Sequence, residues 1–268
     1  MKYFFHIAFR GKNYHGWQKN GQVMSVQQMI EDKLEKVLKT KIEINGCGRT
    51  DAQVNASQFF FHATLENNWD DTTHFRVNKI LPDDISIFEV IPVKEKAHAR
   101  FDAIQRQYDY FIHTYKDPFL SEMSALYLDL KIDVASLKQA TEVLTKYQDY
   151  RCFCTTPVKN DHTICQVSFA KWLVSANGQR LRFQISSNRF LGKMVRIIVG
   201  QLLRVATNEL SVADFEHYLI QKKTPKILYP AHPQGLYLSK VVYPYLDIPP
   251  KSDFFNLNLS DKYWQELT

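Results

Sequence analysis

No run of apolar residues in this sequence approaches the ~20 that a membrane span needs. The opening segment MKYFFHIAFRGKNY places one lysine before a short apolar run that His6 interrupts, so it is expected to be a first strand and not a signal peptide. Cysteine is sparse: Cys47, Cys152, Cys154 and Cys165 are the whole set. With no secretory signal beside them, reduced thiols in a cytosolic protein are the expectation. The Cys152/Cys154 spacing is one residue short of C-x-x-C, and no second Cys or His pair completes a zinc set. Several catalytic signatures are also missing. There is no G-x-S-x-G, no H-E-x-x-H, and no glutamate two residues after any histidine, which excludes the usual serine hydrolase, zinc protease and zinc deaminase patterns. Gly11 and Gly16 have P-loop spacing, but Trp17 stands where the phosphate-binding lysine belongs. Gly46-x-Gly48 runs on into Arg49-Thr50-Asp51 with no third glycine, so it is not a dinucleotide loop.

What is present is an ordinary globular composition. Of 268 residues, 45% are hydrophobic and 23% charged, which argues against disorder and suggests one large or two small domains. Lys and Arg number 34 against 28 acidic residues, for a net charge of +6 and a pI near 9.0. That balance suits an acidic partner such as nucleic acid, although it also simply keeps a protein soluble.

The spacing of apolar residues predicts a strand over 2–9, a loop over 10–24 and a helix over 25–40 with a Ser25/Gln28 capping box. A short strand at 41–45 leads to the loop Gly46–Asp51. A strand from Asn55 to Leu65, a helix over 72–80 and a strand over 85–92 follow, giving a β-α-β-β-α-β order. The second half predicts a strand over 106–115, a helix near 133–147 capped by Asp133, and strands over 164–175 and 180–187. Helices over 190–204 and from Ser211 to about Ile220, then a strand over 236–243, complete it. The expected class is α+β: two ferredoxin-like or RRM-like halves sharing an extended, mainly antiparallel sheet with helices on one side. The expected domains are 1–104 and 105–246, with 247–268 as a peripheral tail.

Three constellations carry chemistry. In GCGRTDAQVNA (46–56), two glycines permit a tight path and set Asp51 beside Arg49. Asp51 there either shapes a turn or, kept ionised by nearby arginines, serves as a nucleophile. Arg189, Lys193, Arg196 and Arg204 recur at helical spacing with Gly200 between the last two. They form a solvated basic face, or a stripe that a backbone or phosphate approaches. Arg106, Tyr108 and Tyr110 alternate along a strand, as base-stacking platforms and ordinary sheet packing both do.

Taken together these segments resemble the tRNA pseudouridine synthase A family. The likeness runs from residue 3 to about 244, through Gly11-x-x-Tyr14-x-Gly16-Trp17-Gln18, Ser25-Val26-Gln27, Gly48-Arg49-Thr50-Asp51-Ala52 and Val77-Asn78 with Leu81-Pro82-x-Asp84-Ile85. It continues in Ala99-Arg100-Phe101-x-Ala103, Arg106-x-Tyr108-x-Tyr110, the Phe190–Gly200 motif and Gly235-Leu236-Tyr237-Leu238. The resemblance implies isomerisation of uridine to pseudouridine at positions 38–40 of the tRNA anticodon stem-loop. It further implies a cytoplasmic homodimer that uses no cofactor or metal and no membrane. By position, Asp51 would be the nucleophile and Arg196 its ionic partner. Tyr108 would lie against the flipped uracil, Arg49 would fill the gap it leaves in the stem, and Leu236 would join the substrate-binding residues. Alternatives in keeping with the same fold are an RNA-binding homologue with weakened activity, or a synthase for another RNA. Against the family loop G-R-T-D-A-G-V-H-A, this chain has Gln53 for the second glycine and Asn55 for the histidine; Gln148-Asp149-Tyr150 replaces a usual His-Asp-Phe. If the replaced glycine has positive φ, Gln53 costs ~1 kcal/mol or shifts the loop.

Overall fold

The computed structural model describes residues 1–251 and 263–267. In chain order its elements are β1 (Lys2–Phe9), α1 (Val26–Leu38), β2 (Asn45–Gly46), β3 (Asn55–Thr64), α2 (Asp71–Ile80), β4 (Ile85–Pro92), β5 (Gln105–His113) and β6 (Ala125–Leu126). Then come α3 (Val134–Val143), β7 (Val167–Ser175), β8 (Arg180–Ser187), α4 (Met194–Ala206), α5 (Val212–Gln221), β9 (Leu236–Val242) and β10 (Trp264–Glu266). The class is mixed α/β with mostly antiparallel sheet. Two compact units divide the chain: one holds Met1–Ile104 with the segment that returns from Tyr237, the other holds Gln105–Leu236 with the C-terminal strand.

In the first unit β1 pairs antiparallel with both β3 and β4, Phe5 lying opposite Phe61 and Val90, and β2 pairs with β3. Alternation sends aromatic rings to both faces of this sheet. Phe5 stacks on Phe61 with centroids 4.5 Å apart, while on the other face His6 stacks on Phe60 at 4.9 Å. A face so apolar must be covered, and the return segment covers the second one: Tyr243 meets Phe4 at 5.3 Å and Phe60 at 5.4 Å. β9 accordingly runs parallel to β3, with Asn55 opposite Tyr237, and the buried Gln58 amide bonds Val241 N–H and the Ile248 carbonyl. This corrects the expectation that 105–246 forms one C-terminal domain. Residues 237–251 complete the N-terminal unit because its aromatic sheet face needs them.

α1 starts where Ser25 Oγ accepts the Gln28 N–H at 3.1 Å, and it buries Val26, Ile30 and Leu34. The strand expected over 41–45 shrinks to Asn45–Gly46. Ile44 donates its N–H to the Glu31 carboxylate and its carbonyl accepts from Gln27 Nε2, both on α1, so its backbone groups are satisfied by side chains rather than by a neighbouring strand.

The second unit pairs β5 with β8, β8 with β7 and β7 with β10, all antiparallel, and β6 runs parallel to β5. Trp172 of β7 donates its indole N–H to Thr141 of α3 at 3.1 Å. The described end of the supposed tail is therefore an edge strand, with Trp264 opposite Ser175; residues 252–262 lie outside the described part. α4 begins at Met194, later than the expected 190, because Lys193 has φ 61° and breaks the helical path. Arg189 and Lys193 thus stand before the helix, and only Arg196 and Arg204 of the basic stripe lie on it. Gly200 faces a backbone: a Cβ there would lie 1.9 Å from the Tyr229 carbonyl oxygen.

Replacing Gly200 with alanine is expected to push Tyr229 off α4 and to destabilise the protein by about 1–3 kcal/mol, read from the urea midpoint at constant m. An unchanged midpoint would mean the strand of chain at 229–231 is not held there. The imidazoles of His6, His62, His98 and His113 are all lowered, chiefly by burial, His62 to about 4. The unfolded chain binds those protons near pH 6.5 and the folded chain resists them, so stability falls as pH drops below about 6.5. Equal urea midpoints at pH 7.5 and pH 5 would contradict this.

Candidate active site

The aspartate loop of the first unit is built from backbone constraints. Gly46 lies under the indole of Trp17, where a Cβ would come within 2.5 Å of the ring, and Trp17 itself packs on Phe59 at 4.1 Å. Buried Cys47 donates its N–H to the Phe60 carbonyl at 2.7 Å, turning the chain off β2 toward Arg49 and Asp51. From there the chain makes a tight turn in which the Asp51 carbonyl accepts the Val54 N–H at 3.2 Å. Gln53 sits at φ 65°, the left-handed region that favours glycine, at the position where the family pattern carries glycine.

A second loop, over 10–17, braces this turn. Trp17 N–H donates to the Thr50 carbonyl at 3.3 Å and Gln53 N–H to the Tyr14 carbonyl at 3.1 Å. Gly11 N–H donates to Asn55 Oδ1 at 2.8 Å, and the Asn55 side chain is buried. Two glycines make the approach possible, since a Cβ would meet the Val54 carbonyl at 2.1 Å from Gly11 and the Thr50 carbonyl at 2.3 Å from Gly16. The bracing loop is in turn anchored by Asp84. Its carboxylate accepts from Tyr14 Oη at 2.6 Å and from Asn13 Nδ2 at 2.8 Å, and its carbonyl from Arg10 N–H at 2.9 Å. Burial and then the Asp84 carboxylate push the Tyr14 phenol well above its ordinary pKa, so it remains a donor. Asp51 is half-buried and Arg49 exposed on this fixed frame.

The remaining candidates lie in the second unit. Tyr108 is half-buried on β5, and the edge of one ring meets the face of another where it packs on Phe190, at 5.0 Å and 86°. Arg106, two residues earlier on the same face, donates to the Asn188 carbonyl at 3.1 Å. Tyr110 of that face is fully buried and donates to the His232 carbonyl at 2.8 Å, so it is a packing residue and not an exposed platform. Arg196 is the half-buried cation of an otherwise apolar helix face. Its Nε donates to the Ala231 carbonyl at 2.8 Å while its own carbonyl accepts the Ala231 N–H at 2.9 Å, which fixes the guanidinium plane. Its charge also acts on the buried Tyr110 and Tyr127 phenols, whose pKa values burial raises. Leu236 is buried at the start of β9. Thus Arg49 and Asp51 share one loop, while Tyr108, Arg196 and Leu236 belong to the other unit.

Residue-level reading of the sequence assigned no role to Asp84, Tyr14 or Phe190, although each stands inside a motif quoted for the resemblance. Their partners are distant in sequence, and no local spacing reveals them. All four cysteines are buried and none forms a disulfide, with burial pushing the Cys152 and Cys165 thiols up to about 12, as in inert structural thiols. Among the described residues, no group of three or more His, Cys, Asp or Glu side chains is placed to hold a metal ion.

Two substitutions test the frame. Gln53→Gly removes a left-handed side-chain penalty and is expected to raise stability by up to about 1 kcal/mol in urea unfolding. Asn55→Ala strands the buried Gly11 N–H and is expected to cost about 1–3 kcal/mol in the same assay. A destabilising Gln53→Gly or a neutral Asn55→Ala would contradict the geometry.

Comparison with known proteins bears on the whole chain. The family described as tRNA pseudouridine synthase matches residues 147–244. A protein of Porphyromonas gingivalis named tRNA pseudouridine synthase A is 37% identical over 248 residues, covering 91% of this chain and 97% of the relative. Proteins of the same name from Azobacteroides pseudotrichonymphae and Parabacteroides distasonis are 38% and 36% identical over 247 residues each. Both alignments cover 91% of this chain, with 97% and 96% of the relatives. Identity of that extent, carried through both units, places the chain in the tRNA pseudouridine synthase A family.

Proposed function

We propose that this protein is a tRNA pseudouridine synthase, an isomerase that converts uridine to pseudouridine at positions 38–40 of the anticodon stem-loop. The reading is carried by one observation: a half-buried aspartate on a doubly braced loop, in a chain 36–38% identical over 91% of its length to relatives bearing that name. The reaction is redox-neutral. The bond from ribose C1′ to uracil N1 is exchanged for one to C5, and a proton leaves C5 while N1 gains one. The Asp51 carboxylate is the nucleophile that lets base and ribose part, and Arg196 supplies cationic charge that keeps a carboxylate ionised.

Removing a stacked base from a stem costs a few kcal/mol, and the proposed roles of three residues answer that cost. Tyr108, already oriented by Phe190, offers a ring to the extruded uracil; Leu236 contributes apolar contact; exposed Arg49 fills the vacated place in the stem. The net charge of +6 favours the polyanion. The fold proposed for each unit is a ferredoxin-like variant, suggested in the first by the β-α-β-β-α-β order of β1 to β4 with its two helices. No described helix is long and apolar enough to cross a membrane, and we propose a cytoplasmic homodimer.

The test is pseudouridine mapping, to the nucleotide, on an unmodified tRNA transcript with uridine at all three positions. The expected result is product at one or more of them with wild type and none with Asp51→Asn, whose tRNA affinity stays within about threefold. Binding without product in the wild type would sink the enzymatic reading in favour of an RNA-binding homologue. Product only on ribosomal fragments would reassign the substrate.

A further inference from the structure

The segment 94–103 lies on the first unit, apart from the aspartate loop in sequence, and it is held by an unusual number of hydrogen bonds. Every backbone N–H from Ala97 to Asp102 has an acceptor. Ala97 donates to Lys94 O, His98 to the Asp102 carboxylate, Ala99 to His62 Nδ1, Arg100 and Phe101 both to His98 Nδ1, and Asp102 to His98 O. Side chains from elsewhere in the unit complete the set. Lys2 Nζ donates to the Ala97 carbonyl at 3.1 Å, Tyr243 Oη to the Ala99 carbonyl at 2.7 Å and Tyr245 Oη to the Asp102 carboxylate at 2.5 Å. Because His62 and His98 each accept at Nδ1, both rings must be unprotonated there, and burial lowers both to suit.

What this rigid loop presents is a ring. Phe101 is 74% exposed, yet its ring packs tilted against His98 at 4.2 Å, and His98 meets His62 edge-on at 4.5 Å. The Arg100 guanidinium lies 5.8 Å from the Phe101 centroid. A lone exposed phenylalanine needs no explanation. A phenylalanine at the outer end of a three-ring cluster, on a loop whose amides from Ala97 to Asp102 are all hydrogen-bonded, is already ordered for a flat partner and loses little entropy on meeting it. Lys94, Lys96 and Arg100 against Glu95 and Asp102 leave the segment 94–103 with a net positive charge. That charge suits a polyanion. An isologous contact with a second copy would instead set two such basic segments against each other.

We propose that Phe101 is a stacking platform for a nucleobase of the bound tRNA, beside the positive charge of Arg100. The proposal rests on tRNA being the ligand, and it adds a binding contact to those of the reaction site. Stacking on an aromatic side chain tolerates any base, so the contact contributes affinity and not sequence choice.

The experiment measures the Kd of full-length protein for the unmodified tRNA transcript over a range of salt, for wild type, Phe101→Ala and Phe101→Trp. The alanine variant is expected to bind about 5- to 100-fold more weakly, with the tryptophan variant within twofold of wild type. The slope of log Kd against log salt and the Tm should stay unchanged, since no phosphate contact and no core packing is lost. A Kd within twofold of wild type for Phe101→Ala overturns the proposal. So does a changed Tm, which would make the ring structural, or a reduced assembly mass in light scattering, which would give it to a second copy. Wild type that binds tRNA but forms no pseudouridine fails the enzymatic reading alone. Wild type that does not bind tRNA fails both.

Discussion

A buried amide must find an acceptor, and much of the first unit follows from how Gly11 finds one. Its N–H ends on the side chain of Asn55, at the first residue of β3, and that bond draws the 10–17 loop down onto the aspartate turn. The approach is close enough that only glycine fits at two of its points. Asp84 then holds the far side of the same loop through Tyr14 and Asn13. The nucleophilic role proposed for Asp51 needs such a frame, because misplacement of about an ångström costs orders of magnitude in rate. Asn55, which departs from the family pattern, is also the residue that satisfies this amide; the departure preserves an acceptor where one is required.

The second unit solves a related problem with an arginine. α4 is apolar on nearly every side, and Arg196 is tolerated there because its Nε–H has a carbonyl partner on the strand of chain at 229–231. Gly200 lets that chain approach, and Gln201 bonds Ile227 further along. The Nε–H and the main chain of Arg196 are thus both tied to Ala231, which fixes how the planar guanidinium is presented. Phe190 does the same for Tyr108, fixing a ring by an edge contact just before the helix begins.

Local pattern made most elements legible. Ser25 and Asp133 cap helices as expected, Ser211 caps the helix expected to start at it, and the apolar pattern located β1, β3, β5 and β8. The failures share a cause, which is that the deciding contact is distant or conformational. Phe190 and Leu191 continue the apolar period of α4, and only the left-handed Lys193 ends it, which period analysis does not see. β9 looks like a strand from its own residues, but nothing in those residues says that it pairs with β3. At the candidate site, Asp51 stands out only through the family motif; spacing alone favours a turn former. The brace from Asp84 was invisible because its partners lie about 70 residues away.

The placement of β9 has a consequence for synthesis. Asn55 and Tyr237 pair across about 180 residues of intervening chain, and Gln58 waits for Val241 and Ile248. During translation residues 1–104 emerge first, but their aromatic sheet face stays bare until the segment 237–248 has been made. Closing so long a loop is slow, and the intermediate exposes Phe4 and Phe60 to whatever else is in the cell. The unit that is made first therefore waits for a segment made late, and a chain truncated before residue 237 would leave it sticky rather than merely shorter.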